Sequence, residues 1–105
     1  MTISQLVPNP LLFVVIAYDV VADRRRTRIF KTLKNHGRHV QFSVFECQLR
    51  RADYLRLRGK LERLINPVED NVRFYFLDRD AVARIEQVGV ERGLTPAHNV
   101  RFVIL

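Results

Sequence analysis

The chain has 105 residues, 48% of them hydrophobic, which is enough for one packed core and short for two domains of common size. Eighteen Lys and Arg against eleven Asp and Glu give a formal charge of +7, and fifteen of those eighteen cations are Arg. No stretch reaches the roughly 20 apolar residues of a membrane span and no basic n-region precedes the first apolar run, so a single cytoplasmic domain over residues 1–105, without a membrane partner, is expected.

Residues 1–10 carry Pro8 and Pro10 without periodicity and read as an extension. The run LLFVVIAYDVV at 11–21 is rich in β-branched residues and nearly unbroken, as in a central strand covered on both faces, and its apolar monotony ends at Asp19. A first helix follows: Asp23 is placed to cap it, Ile29, Phe30 and Leu33 form its apolar stripe, and Gly37 is a natural stop. HVQFSVFECQL at 39–49 is dense in β-formers and fits either one long strand or two. A second helix is predicted over 53–66, where Tyr54, Leu57, Leu61, Leu64 and Ile65 recur at helical spacing before Pro67. VRFYFL at 72–77 predicts another strand, and 84–88 and 100–104 two shorter ones.

Strand, helix, strand region, helix, strand is the order of an α+β sandwich of the ferredoxin-like βαββαβ kind, with two helices on one face of an antiparallel sheet. Residues 72–77 are apolar or aromatic on both faces except at Arg73, so a second subunit is expected to cover the other face. Cys47 stands alone among apolar neighbours, which marks a buried structural thiol and excludes an intrachain disulfide.

The Arg bias points to a phosphate-bearing partner, because a planar guanidinium pairs with phosphate as a bidentate fork. Distribution sharpens this. Seven Lys or Arg and no acid lie between Arg24 and His39. Arg24, Arg25 and Arg26 fall in the first helical turn, where the helix dipole disfavours cations, and free N–H groups at a helix start already favour an anion. The second helix carries Arg50, Arg51, Arg56, Arg58, Lys60 and Arg63, but Asp53 and Glu62 offset them, as on an ordinary solvated face. Asp19 stands where the chain leaves the first strand, a place where a carboxylate gains nothing from burial. A hard cation such as Mg²⁺ takes oxygen ligands and keeps waters, so one carboxylate plus substrate phosphate can suffice, and a two-fold axis would pair two copies. His36 and His39 lack the further ligands of a structural zinc site. Gly-rich phosphate loops, Cys pairs and nucleophile elbows are absent from the sequence.

Tyr18-Asp19-Val20 closing a first strand, the Arg-rich helix start, and Gly37 leading into Val40-Gln41-Phe42-Ser43-Val44-Phe45-Glu46 together resemble the small CRISPR-associated protein of the adaptation module, the second-numbered Cas family. The likeness runs in order from about Leu11 to Leu77. It implies a ferredoxin-like fold, a homodimer, and a C-terminal strand, here 100–104, that pairs with the partner subunit. It further implies partnership with the CRISPR integrase in capturing spacer duplex DNA, and Mg²⁺-dependent endonuclease activity on RNA, single-stranded included, or on duplex DNA. On that likeness Asp19 binds the metal and Tyr18, Arg26, Arg28, Ser43 and Phe45 line or support the site, so that Asp19, Tyr18, Ser43 and Phe45 are the catalytic candidates; with the charge distribution, Arg24, Arg25, Arg26, Arg28, Lys31, Arg38 and His39 are those expected to meet nucleic acid. A non-catalytic scaffold that binds duplex DNA and spaces two integrase copies is the alternative it leaves. One departure stands out: the family usually has Arg directly before Val-Gln, and here that position is His39, with the Arg at Arg38.

Overall fold

The structure, a computed structural model, describes residues 10–90. The chain runs β1 (Leu11–Asp19), α1 (Asp23–Lys34), β2 (Gly37–Gln41), β3 (Val44–Arg50), α2 (Arg51–Leu64), β4 (Asn71–Leu77) and α3 (Arg79–Ala83). The four strands form one antiparallel sheet in the order β2-β3-β1-β4, which is the ferredoxin-like α+β arrangement. The 39–49 region is thus two strands, folded back on each other at residues 42–43. Among the described residues no helix is long and apolar enough to cross a membrane.

Period-two alternation divides the sheet into two faces. Val14, Ile16 and Tyr18 of β1 and Phe45, Cys47 and Leu49 of β3 are buried, and they pack with Ile29 and Leu33 of α1 and Tyr54, Leu57 and Leu61 of α2. On β4 the same face carries Phe74 and Phe76, whose rings meet Tyr54 edge-on with centroids 5.7 and 5.0 Å away. Ala17, Val15 and Phe13 point the other way, opposite Val44, Glu46 and Gln48 on one side and Arg73, Tyr75 and Leu77 on the other. The chain after β4 runs over part of this second face. Leu12, Phe13, Arg38, Glu46, Leu77 and Val82 are among the residues lining a groove of about 1130 Å³ between the sheet and α3.

Three local expectations are corrected. The cap of α1 is Ala22, which has no side-chain capping bond; Asp23 lies inside the first turn and pairs with Arg26 instead. Gly37 does not end α1, whose C-cap is Asn35, but opens β2. Finally, 84–88 is no strand. Asp78 Oδ1 accepts from the Ala81 N–H at 2.8 Å and starts α3 there, and the chain leaves that helix at Arg84. The strand expected at 100–104 lies outside the described residues.

Gly37 is required for close approach rather than for a turn. A Cβ built on it would stand 2.6 Å from the Glu46 carbonyl oxygen and would overlap Cys47 Sγ. Backbone and a buried side chain cannot yield cheaply, so Gly37→Ala is expected to destabilise the fold by about 1–3 kcal/mol, the usual range for overpacking. Urea unfolding measures this; an unchanged midpoint would mean that β2 can move away from β3.

Candidate functional site

Asp19 is the last residue of β1, opposite Asn71 of β4, and its exposed carboxylate stands on the face away from the helices. Tyr18, one residue earlier, points to the opposite face and is 6% exposed. Burial raises the pKa of its phenol, against smaller lowering effects from a hydrogen bond with the Ser43 hydroxyl and from the charge of Arg26. Such a phenol keeps its proton at neutral pH and is no general base. Ser43 also anchors the β2–β3 turn to β1, its carbonyl accepting from the Tyr18 N–H at 3.0 Å.

Phe45 is wholly buried, so its expected place among the catalytic residues is corrected to packing. Its ring stacks with Tyr18 at 6.4 Å and meets Phe30 at 5.5 Å and His39 at 5.0 Å. His39 lies between Phe45 and Phe30, with Nε2–H donating to the Phe42 carbonyl at 2.8 Å. His39 was expected among the residues that meet nucleic acid, and the structure gives its Nε2 a partner within the protein.

The basic residues separate into three sets. Arg24, Arg28 and Lys31 are exposed at i, i+4 and i+7, one stripe along α1, without an acidic partner among the described residues. Arg26 turns back on the chain, donating to the Val20 carbonyl at 2.8 Å and pairing with Asp23. Arg38 belongs to the other sheet face, opposite Glu46 in the β2–β3 register, and does not join the α1 stripe.

Arg25 is ion-paired within the protein: its Nε donates to Asp70 Oδ2 at 2.7 Å and one Nη to Glu69 at 2.7 Å. Asp70, whose carboxylate is fully removed from solvent, also accepts from the N–H of Val21 at 3.0 Å and of Asn66 at 2.8 Å. Asp70 was missed from sequence because every partner except Asn66 is more than 40 residues away.

The Arg25 hydrogen bond, aided by the Asn66 and Val21 N–H groups and opposed by desolvation, holds Asp70 well below the usual carboxylate range. The folded state therefore binds fewer protons than the unfolded state once pH falls below the free-aspartate value of about 3.9, and Asp70 contributes stability above that pH and loses it below. Asp70→Asn is expected to flatten the fall in stability between about pH 4 and pH 2, as followed by urea unfolding at each pH. An equal slope in both proteins would remove Asp70 as its source. Cys47 is 1% exposed, and burial, with a smaller effect of Glu46, pushes its thiol up to about 11, which leaves it unreactive.

Among the described residues no group of three or more His, Cys, Asp or Glu is placed to hold a metal. The donor chemistry of Asp19 still fits a hard cation: one exposed carboxylate would supply one oxygen, and water, substrate phosphate or a second copy of Asp19 the rest.

Fold and site together define a small ferredoxin-like protein with an exposed strand-end carboxylate followed in the chain by a basic helix. The sequence pattern described as CRISPR associated protein Cas2 matches residues 12–85. A relative from Thermus thermophilus, named CRISPR-associated endoribonuclease Cas2, is 47% identical over 92 residues, 88% of this chain and 97% of that protein. The crystal structure of Streptococcus pyogenes Cas2 at pH 6.5 superposes with a TM-score of 0.67 at 30% identity, covering 73% of this chain and 99% of that one. A chain in the structure of a partial Cas6-RT-Cas1–Cas2 complex does so with a TM-score of 0.64 at 30% identity, covering 81% and 94%. The chain belongs to the Cas2 family.

Proposed function

We propose that this protein acts in CRISPR adaptation as a homodimer that joins the CRISPR integrase and binds spacer duplex DNA, and that it hydrolyses phosphodiesters with Mg²⁺ at Asp19. The observation that carries the reading is the exposed Asp19 carboxylate a few residues before the exposed stripe of Arg24, Arg28 and Lys31, which has no acidic partner among the described residues. Over seven residues that stripe rises about 10 Å. This is about three steps of a duplex strand at 3.4 Å each. Charge of this kind would follow a phosphate backbone and read no sequence. The integrase role draws its support from the likeness to a chain solved in a Cas1–Cas2 complex, and hydrolysis from relatives named endoribonucleases.

Asp19 would hold Mg²⁺ through one oxygen, and the cation would lower the pKa of bound water and offset charge on the scissile phosphate. The residues of this chain do the rest. The α1 stripe would orient the strand, and Arg26, fixed on the Val20 carbonyl, would keep positive charge near the β1 exit. A second copy stacked on the sheet face bearing Phe13, Val15 and Tyr75 would cover its apolar groups.

A second reading, a scaffold that binds DNA and spaces integrase copies without hydrolysis, is favoured by one observation: Tyr18, the titratable neighbour of Asp19 in the chain, is buried with its phenol pKa raised and is unsuited to act as a general base.

With purified protein and Mg²⁺, cleavage of single-stranded RNA or duplex DNA is expected, and Asp19→Ala should reduce it to background while binding is retained. Equal cleavage by the variant would assign the activity to a contaminant. Spacer capture by the Asp19→Ala protein with the integrase separates the readings, since a scaffold retains it. Replacing Arg24, Arg28 and Lys31 by Gln should reduce the slope of log affinity for duplex DNA against log salt by about 0.9 per lost phosphate contact. An unchanged slope would remove α1 as the binding surface.

A further inference from the structure

We infer that Arg25 is a positioning residue: anchored on Asp70, it fixes the β1 exit that presents Asp19 and makes no contact with nucleic acid. The inference rests on the reading above that Asp19 faces the substrate. Between Asp19 and α1 the chain has three residues, and each is held by a bond to its backbone. The Val20 carbonyl accepts from Arg26 Nη1 at 2.8 Å, the Val21 N–H donates to Asp70 Oδ1 at 3.0 Å, and the Ala22 carbonyl accepts from the Arg26 N–H at 3.0 Å.

Only the Val21 bond reaches outside this loop and helix. Its acceptor is a carboxylate with no access to water, whose second oxygen is held by Arg25 Nε and by the Asn66 N–H. Asp70 is in turn fixed to its own loop, since its N–H donates to the Asn66 carbonyl at 2.8 Å. Arg25 therefore joins the first turn of α1 to the α2–β4 loop, and the loop after Asp19 is held between them. Withdrawing the guanidinium would leave a buried carboxylate with two N–H partners and no counter-charge, a state that draws in water or moves the loop. The same pairing removes Arg25 from the basic surface. Its charge is matched by two acids, Glu69 and Asp70, while Arg28, three residues on, is exposed and unmatched.

The test compares Arg25→Gln, Arg25→Lys and Arg28→Gln in the full-length protein, with a duplex DNA of defined length and the RNA substrate as probes. Arg25→Gln should leave the salt slope of duplex binding unchanged, whereas Arg28→Gln should lower it by about 0.9, one phosphate contact. Arg25→Gln should also speed exchange of the Val21 amide at least tenfold and reduce kcat with KM unchanged. Arg25→Lys, which keeps a point charge without the fork, should restore part of both. Asp70→Asn should match Arg25→Gln, and the double variant should be no worse than either single, as expected of residues acting as one unit.

A slope that falls for Arg25→Gln as it does for Arg28→Gln would overturn the inference, and so would an unaltered Val21 amide. If the unsubstituted protein cleaves neither RNA nor DNA, the hydrolytic reading fails by itself, and the slope and the amide exchange still decide the role of Arg25. Should Arg25→Gln not fold, the Lys variant carries the same two measurements.

Discussion

The end of the sheet that presents Asp19 depends on one buried carboxylate. Asp70 collects N–H donors from the loop after β1, the loop after α2 and the first turn of α1, three segments that are distant in sequence. Backbone N–H groups leaving a strand or a helix must find acceptors, and here one side chain meets two of them. The cost of burying its charge is offset only because Arg25 is close enough for a direct charge-assisted bond. Fold and site are coupled at this point: what satisfies the two loops also sets the course of the chain just past Asp19.

Strand alternation is the second constraint, and it separates residues that stand side by side in the sequence. Tyr18 and Asp19 are neighbours in the chain, yet Tyr18 lies under the helices with Phe45, Phe30 and His39 while Asp19 lies on the far face. The aromatic cluster therefore stiffens the strand end from beneath and adds no reacting group. Arg38 and His39 are divided in the same way, one toward Glu46 and the groove, the other into the aromatic cluster. The residues that remain together on solvent are those of α1, because a helix repeats its exposed face every three to four residues.

Much of this was legible in the sequence, for identifiable reasons. α1 and α2 show helical spacing of apolar residues, 11–21 and 72–77 are dense runs of β-formers, and the structure places these elements within two residues of the expected bounds. The hairpin at 42–43 was ambiguous because Phe42 is no turn former and Ser43 alone is a weak turn signal, and their turn is held by hydrogen bonds with Tyr18 and His39. Gly37 looked like a helix stop because glycine is common there, whereas the actual reason, the nearness of β3, lies ten residues further along. The 84–88 segment contains the β-formers Ile85 and Val88, but Asp78 and the helix it caps take the chain off the sheet edge first. Arg25 was indistinguishable from Arg24 and Arg26 in sequence, since a pairing across 45 residues leaves no local trace.

What a single chain lacks is as informative as what it holds. Within the described residues Asp19 belongs to no group of three or more metal-ligating side chains, and the buried Tyr18 phenol next to it in the chain is no base, so one protomer supplies charge and position and little chemistry. A surface of that kind suits a partner that brings its own oxygens, whether the phosphates of a nucleic acid or a symmetry-related Asp19. The face opposite the helices also carries Phe13, Val15 and Tyr75, and in the proposed dimer a copy that covers those apolar groups would lie on the same face of the sheet as Asp19.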